Sequence, residues 1–208
     1  MILVTGGAGF VGSSLALRLR RYFPEQKIVA LDNLKRRGSE LNLPRLREAG
    51  VDFIHGDIRQ PGDLEIDNSD WIIECSAEPS ALAGLDGGTD YLVHTNLLGT
   101  YHCLELARRT GAGMIFLSTS RVYPFKTIRE LRYRTSDSRF ELEEIQEIQG
   151  VSSQGITEDF PLEGARTLYG ATKLASELLI AEYVENFGLT MIINRCGVLT
   201  GPWQMGKV

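Results

Sequence analysis

The sequence predicts an α/β fold built on a doubly wound parallel sheet. Short runs of β-branched and aliphatic residues alternate along the chain with longer segments that have helical spacing of apolar residues. A glycine-rich turn, Thr5–Gly12, joins the first such run to the first helical segment. Strands connected by crossover helices lie parallel, with helices on both faces of the sheet. The chain has 208 residues, 43% hydrophobic and 24% charged, enough for one such domain.

Six strands are predicted, each from a short buried run. In chain order they are Ile2–Val4, Ile28–Leu31, Val51–Ile54, Trp71–Cys75, Met114–Leu117 and Thr190–Asn194. Helical spacing predicts one helix from about Val11, a second from about Asp90 to Thr110, and a third that begins near Tyr169 and ends near Phe187.

One segment, about residues 126–160, interrupts this alternation. It is rich in charged residues, Gln and Ser, and we expect it to be partly helical around Phe140–Ile148. A loop of this length is uncommon in a compact domain and often serves as a lid or an interaction surface. The alternative is a solvated excursion on the surface, and the sequence leaves both interpretations open.

Composition limits the classes of function. The net charge is −5 with a pI near 5.3, and the absence of a basic block argues against nucleic acid as a partner. No apolar run approaches the ~20 residues of a membrane helix. The first residues enter a motif directly, so we expect no signal peptide and a cytoplasmic protein. Cys75, Cys103 and Cys196 are odd in number and far apart, which predicts buried free thiols and neither a disulfide nor a metal site.

The glycine turn has the context that a dinucleotide site requires. Gly6, Gly9 and Gly12 follow a predicted strand and open a predicted helix, whose N-terminus can bind a pyrophosphate. Asp32 ends the second strand, where its carboxylate can accept hydrogen bonds from ribose hydroxyls and would repel a 2′-phosphate. The sequence therefore predicts NAD rather than NADP. Basic residues at Lys35–Arg37 are either solvated loop charges or possible phosphate ligands.

Tyr169 and Lys173 are four residues apart, so they share one face of the third predicted helix. Ser118–Ser120 ends the fifth strand at the carboxyl edge of the sheet, where ligands bind in open α/β folds. A tyrosine with a pKa of ~10 is a poor base unless positive charge favours the phenolate. Lys173 and an oxidised nicotinamide would supply that charge, and Thr119 could hold a substrate hydroxyl. The alternative is a chance Tyr-x-x-x-Lys spacing.

Several motifs occur together in a fixed order along the chain. They are Thr5–Gly12, Leu31–Leu34, Gly56–Arg59, Asn96–Thr100, Ser118–Tyr123 and Tyr169–Lys173. In this order they resemble the extended short-chain dehydrogenase/reductases, in particular the sugar-nucleotide epimerase and dehydratase family. The resemblance implies a Rossmann domain over residues 1–195 that binds NAD and acts on a nucleotide sugar. Residues 196–208 would begin a substrate-binding region that is largely absent from the chain.

The resemblance also implies roles for single residues. Thr119, Tyr169 and Lys173 would be catalytic, and Glu78 and Ser120 would contact the substrate. The residues expected to bind NAD are Gly6, Gly9, Phe10, Val11, Gly12, Asp32, Asn33, Arg36, Asp57, Ile58, Ser76, Ala77, Asn96, Ser118, Tyr169 and Lys173. Asn96 would in addition support the active-site helix. No metal is implied.

Two features are similar to the CDP-paratose 2-epimerases of that family: the run Leu34–Leu43 and the long interval between Thr119 and Tyr169. Ser120 stands where the 4,6-dehydratases carry an acid, and Val198 where many members carry asparagine. We therefore expect an epimerase that acts through a transient keto-sugar. Alternatives are a 4-epimerase, a dehydratase, a net dehydrogenase or reductase, and a non-catalytic NAD-binding protein. A homodimer through the second and third predicted helices is implied, although their apolar faces could be core.

Overall fold

Ten strands are present in the computed structural model, which describes residues 1–85 and 88–204. In chain order they are β1 (Ile2–Thr5), β2 (Ile28–Asp32), β3 (Asp52–His55), β4 (Trp71–Glu74), β5 (Gly113–Thr119), β6 (Tyr133–Thr135), β7 (Phe140–Leu142), β8 (Val151–Ser152), β9 (Gly155–Ile156) and β10 (Met191–Cys196). Six of them form a parallel sheet in the order β10-β5-β4-β1-β2-β3. The predicted α/β class is confirmed.

In the described part of the chain, six α-helices connect the strands. They are α1 (Phe10–Tyr22), α2 (Leu43–Glu48), α3 (Thr89–Val93), α4 (Gly99–Thr110), α5 (Phe125–Arg129) and α6 (Leu168–Phe187). One turn of π-helix, His94–Leu98, joins α3 to α4, so the helix predicted from Asp90 to Thr110 is nearly continuous. Helix α6 ends at Gly188, whose φ of 65° is the left-handed conformation that terminates many helices.

The sheet has a buried layer on each face. Leu3 and Val4 are adjacent in β1 and point to opposite sides, as alternation along a strand requires. Val4 packs with Ala16 of α1, whereas Leu3 packs with Leu104 of α4 and Ile180 of α6. Helices therefore cover both faces of the sheet. Because the strands are parallel, the carboxyl ends of β1, β4 and β5 lie at the same edge of the sheet, between the two helical layers.

The insertion between β5 and α6 contains two small hairpins, β6–β7 and β8–β9. The expected helix around residues 140–148 is wrong, because β7 occupies its beginning. The charged residues pair across the hairpin instead of along a helix, with Arg134 Nη2 2.8 Å from Glu141 Oε2. The rings of Tyr133 and Phe140 also pack edge to face across it. A short helix, α5, lies at the start of the insertion, where none was expected.

The end of the insertion is anchored to the domain. Phe160 is buried and packs edge to face on Tyr123, which follows β5. Leu174 of α6 packs against the same cluster. The insertion therefore contacts the helix that carries Tyr169 and Lys173, although its role as a lid or as a solvated excursion stays untested.

Some expectations concern features beyond the sheet. No helix in the described ranges is long and apolar enough to cross a membrane. Across residues 1–85 and 88–204, no group of three or more His, Cys, Asp or Glu could hold a metal ion. The three cysteines are free, with Cys103 buried but Cys75 and Cys196 only half-buried. The division at residue 195 stays a prediction, and residues 205–208 of the expected substrate-binding region lie outside the described residues.

Candidate active site

The glycine turn forms a cradle at the carboxyl end of β1. Gly6 has a φ of 61°, and a Cβ there would lie 2.8 Å from the backbone of Cys75. A Cβ on Gly12 would lie 2.1 Å from the Gly6 carbonyl oxygen, so both positions require glycine. Among the described side chains none caps the start of α1, which leaves the first N–H groups at Phe10 and Val11 available to an anion. This geometry fits a dinucleotide pyrophosphate.

Asp32 connects the end of β2 to the same turn. Its Oδ2 accepts a hydrogen bond from the Ala8 amide at 3.0 Å, and its Oδ1 accepts one from the Leu34 amide at 2.8 Å. Burial raises the pKa of Asp32, and these two backbone donors oppose that shift. The carboxylate lines the groove beside the glycine turn, where its remaining lone pairs can accept from ribose hydroxyls.

A groove runs along this edge of the sheet and holds many of the residues expected to bind NAD. They are Gly6, Gly9, Asp32, Asn33, Arg36, Asp57, Ile58, Ser76 and Ala77. The groove is also lined by residues that sequence reasoning missed, which are Ser39, Gly56, Cys75, Tyr91 and Thr95. Gly56 lies within the motif Gly56–Arg59, whereas no local sequence pattern marks Tyr91 as a residue of this groove.

The distal part of the groove is organised by charge. Asn33 Nδ2 donates to Asp57 Oδ2 at 2.9 Å, and Arg59 Nε donates to the same carboxylate at 3.0 Å. Burial raises the pKa of Asp57, but the hydrogen bonds from Arg59 and Asn33 outweigh it and lower the value to about 2. The Tyr91 ring contacts two cations, Lys35 Nζ at 4.5 Å and the Arg59 guanidinium at 4.8 Å. Asp57 is therefore ionised at neutral pH and fixed in orientation.

Replacing Asp32 by alanine is expected to weaken binding of NAD more than binding of NADP, by about 1–2 kcal/mol, because only NAD offers an unmodified 2′-hydroxyl to the carboxylate. Calorimetric titration of both cofactors measures the difference. Asn42→Ala is a matched control, since Asn42 Nδ2 holds the Ala8 carbonyl at 2.8 Å and supports the turn without offering a charge to the ribose. An equal loss for both cofactors in Asp32→Ala would contradict the assignment.

The structure brings two of the three expected catalytic residues together and places the third on the same helix as one of them. Thr119 ends β5, and Tyr169 and Lys173 lie on the first turns of α6, which begins where the Thr167 hydroxyl caps the Gly170 amide at 3.0 Å. The Thr119 side chain lies close enough to the Tyr169 phenol to lower its pKa. Lys173 is 2% exposed. The Thr119 hydroxyl and the Tyr169 phenol thus lie close together at the carboxyl edge of the sheet, with the buried Lys173 one turn further along α6.

Burial dominates the electrostatics of this group. It raises the pKa of Tyr169, while the Thr119 side chain opposes the rise and Glu74 adds to it. Burial also lowers the pKa of Lys173, with Glu74 as the main opposing influence. In the protein alone the phenol of Tyr169 therefore keeps its proton. Positive charge from an oxidised nicotinamide would favour the phenolate.

Asn96 fastens the loop after β4 to α6. Its Oδ1 accepts from the Glu78 amide at 2.8 Å, and its Nδ2 donates to the Glu78 carbonyl at 3.2 Å and to Thr172 Oγ1 at 3.4 Å. The Asn96 carbonyl accepts from Ser176 Oγ at 3.0 Å. These contacts fit the expected support of the active-site helix, while a direct contact between Asn96 and NAD stays a prediction.

Of three residues expected to contact ligands, two have other partners in the structure and the third lines a cavity. Ser118 donates its hydroxyl to Glu177, and Glu78 Oε1 accepts from the Ser80 amide at 3.2 Å. Ser120 lines a second cavity with Arg121 and other residues near the end of β10. The assignment of Ser118 to NAD, and of Glu78 and Ser120 to substrate, stays a prediction.

A parallel sheet in this order, with a glycine turn, an acidic residue at the end of β2 and a Tyr–Lys pair at its carboxyl edge, defines a Rossmann-type dinucleotide-binding domain. The chain belongs to the NAD dependent epimerase/dehydratase family, which it matches over residues 2–208. The family resemblance inferred from the sequence is confirmed, and so is NAD as the cofactor of the family.

Several relatives share this architecture. The chain is 28% identical over 205 residues to dTDP-glucose 4,6-dehydratase of Mycobacterium tuberculosis (98% of this chain, 54% of the relative). It is 27% identical over 213 residues to CDP-paratose 2-epimerase of Salmonella typhi (98% of this chain, 58% of the relative). A crystal structure of a dTDP-glucose 4,6-dehydratase double mutant from Streptomyces venezuelae, with NAD and DAU bound, matches with a TM-score of 0.75 and 31% identity (98% of this chain, 57% of that chain). The chain therefore spans little more than half the length of these relatives.

Proposed function

We propose that this protein is an NAD-dependent nucleotide-sugar epimerase similar to CDP-paratose 2-epimerase. The observation that carries the proposal is the closeness of Thr119 to Tyr169, with Lys173 one turn further along α6, at the same edge of the sheet as the groove that fits NAD. When bound, NAD supplies reversible two-electron oxidation of a sugar carbon. Oxidation followed by reduction on the opposite face of the keto-sugar would invert the carbon without net redox change.

The protein's own residues handle the proton in this scheme. Tyr169 would take the proton from the sugar hydroxyl and return it after the keto-sugar has turned over in the site. Thr119, which lies near the Tyr169 phenol, would share the hydroxyl and hold it in line. Lys173 would hold the nicotinamide ribose and favour the phenolate of Tyr169 by its charge.

The acidic residues near the site favour an epimerase over a dehydratase. Position 120, directly after Thr119, carries serine rather than an acid. Among the described residues, the nearby carboxylates have other partners, Glu78 with the Ser80 amide and Glu177 with Ser118 and Arg195. A dehydratase is the second candidate, because the relatives include dTDP-glucose 4,6-dehydratases at comparable identity.

One experiment separates these functions. The purified full-length protein would be incubated in D₂O, without added NAD, with nucleotide sugars that carry CDP, UDP or dTDP, and the products analysed by mass spectrometry and NMR. An epimerase is expected to give an isomer of unchanged mass without deuterium at the inverted carbon. Deuterium at that carbon would overturn the oxidation–reduction scheme.

The other candidates give different products in the same experiment. A dehydratase would yield a product that has lost water and gained solvent deuterium. A net dehydrogenase would require added NAD and form stoichiometric NADH. A non-catalytic NAD-binding protein would leave every sugar unchanged, and in that case the proposed activity would be wrong.

We also propose a homodimer through α4 and α6. Leu178 and Val184 of α6 and Tyr101 of α4 are exposed apolar residues, which favours a contact rather than core for part of each helix. Sedimentation velocity on the purified protein measures the oligomeric state. A monomer at micromolar concentration would contradict the proposal.

A further inference from the structure

A carboxylate lies in the middle of the central sheet, behind the candidate catalytic residues. Glu74 is the last residue of β4, where it is in register with Thr5 of β1 and Phe116 of β5. Its side chain is 0% exposed. An ionised carboxylate at such a position is strongly disfavoured unless a partner compensates the lost hydration.

The partner is the ammonium group of Lys173. Glu74 Oε2 lies 3.8 Å from Lys173 Nζ, an ion-pair distance that is too long for a hydrogen bond. Within the described part of the chain, neither Glu74 oxygen accepts a hydrogen bond of normal geometry. Lys173 Nζ also lies 4.0 Å from the centre of the Phe116 ring, so the cation is held between a carboxylate and an aromatic face.

Other titratable groups surround the pair without replacing either partner. Burial raises the pKa of the Cys75 and Cys103 thiols, which are therefore neutral at physiological pH. Cys196 of β10 also faces Lys173. Tyr169 is protonated in the protein alone because burial raises its pKa, and Glu177 is paired with Arg195.

We propose that Glu74 is a positioning residue, the counterion that keeps Lys173 charged and fixed beside Tyr169; this inference rests on the proposed function. Without Glu74, burial would favour the neutral amine of Lys173. A neutral Lys173 could no longer favour the phenolate of Tyr169 by its charge. The charge of Glu74 itself raises the pKa of Tyr169, so Glu74 would help the reaction only through Lys173.

Glu74 also sets a pH limit on this arrangement. Burial raises its pKa to about 7, although Lys173 and the Ser76 amide lower it. A group with a raised pKa in the folded state binds its proton there at pH values where the unfolded chain has lost it. The carboxylate form, and with it the ion pair, is therefore about half populated near pH 7 and complete only at higher pH.

The test is the titration of Lys173 in the free protein. The chain has five lysines, Lys27, Lys35, Lys126, Lys173 and Lys207, so ¹⁵N-lysine NMR gives a simple spectrum in which Lys173→Arg assigns the signal. We expect Glu74→Gln to lower the Lys173 midpoint by roughly one pH unit or more. Glu74→Asp should keep most of the wild-type midpoint, because the negative charge remains.

Glu182→Gln is the matched control, since it removes an exposed carboxylate from the same helix α6. Thermal melts establish that each variant folds. An unchanged titration midpoint of Lys173 in folded Glu74→Gln would overturn the inference, whatever the activity.

A kinetic test complements the titration. In the full-length protein we expect kcat of Glu74→Gln to fall in proportion to the charged fraction of Lys173, while KM for the sugar is maintained. A lowered midpoint with unchanged kcat would overturn the catalytic role.

The titration needs no substrate, so it separates this inference from the proposed function. A lowered midpoint in a protein that turns over no nucleotide sugar would contradict the proposed function and leave the ion pair established. If the protein is an active epimerase but the titration midpoint of Lys173 is the same in Glu74→Gln, the proposed function would stand and the role of Glu74 would be wrong.

Discussion

Replacing Tyr169 by phenylalanine is expected to lower kcat of the full-length protein by about 10²–10⁴-fold, the usual contribution of a positioned acid–base group. The substitution removes the phenol hydroxyl near Thr119 and keeps the aromatic ring at the start of α6. Burial raises the pKa of Tyr169, so the protein alone contains the phenol rather than a phenolate. Steady-state kinetics with the accepted nucleotide sugar measures the loss.

The control for this substitution lies on the same helix. Tyr183 donates its hydroxyl to Glu105 Oε1 at 2.5 Å and takes no part in the site. Tyr183→Phe should therefore keep its kcat even where it lowers stability. Tyr169 is itself one of the residues expected to bind NAD, so calorimetric titration of NAD should accompany the kinetics; most of the affinity should remain because the glycine turn and Asp32 do not change. Full activity of Tyr169→Phe would exclude it as the acid–base group.

Much of the fold could be predicted because its signals are local. A run such as Ile28–Leu31 is too short and too β-branched for a helix, and the structure places β2 there. Gly6 and Gly12 identify a turn because each position excludes a Cβ. Tyr169 and Lys173 share a helix face by spacing alone. Each of these inferences depends on fewer than about a dozen neighbouring residues.

The rest depends on contacts between distant residues. In the sequence, Glu74 is an acid at the end of a strand with no motif around it. Its ion pair becomes apparent only in the structure, where α6 places Lys173 beside it. Tyr91 gains its place in the cofactor groove from Lys35 and Arg59, which come from two other loops. No periodicity or motif in the sequence predicts these contacts, because they depend on how whole helices and strands pack together.

The insertion shows the same limit for local structure. The spacing of Phe140–Ile148 allowed a helix, but cross-strand pairing of Arg134 with Glu141 compensates its charges in a hairpin. Whether the segment forms a helix or a hairpin also depends on where the two ends of the insertion are held. The buried contact of Phe160 with Tyr123 holds one of these ends.

A partly buried network joins the insertion to α6, the helix that carries Tyr169 and Lys173. Arg195 of β10 donates to Glu177 Oε2 of α6 through Nη2 at 2.8 Å and Nε at 3.1 Å. The Glu177 hydrogen bonds raise the pKa of Arg195 further above its usual range. The other oxygen of this carboxylate, Oε1, accepts a hydrogen bond from the hydroxyl of Ser118, the residue before Thr119. Arg195 also reaches the Glu158 carbonyl of the insertion at 3.3 Å.

Replacing Arg195 by methionine is expected to lower the free energy of unfolding by about 3 kcal/mol, since it leaves a buried carboxylate without its cation. The side chains of Arg195 and Glu177 are 17% and 6% exposed, so water cannot replace the lost partner easily. Urea unfolding followed by circular dichroism measures the change.

The double variant Glu177→Leu/Arg195→Met decides whether the loss comes from the unpaired charge or from packing. Removing both charges is expected to restore most of the stability, because an apolar pair of similar volume often replaces a buried ion pair without cost. If the double variant were as unstable as Arg195→Met, the contacts of Arg195 with Tyr123 and Glu158 would carry the stability instead. Because Glu177 lies one turn beyond Lys173 on α6, a restored double variant with weakened catalysis would show that this charge orients the catalytic helix.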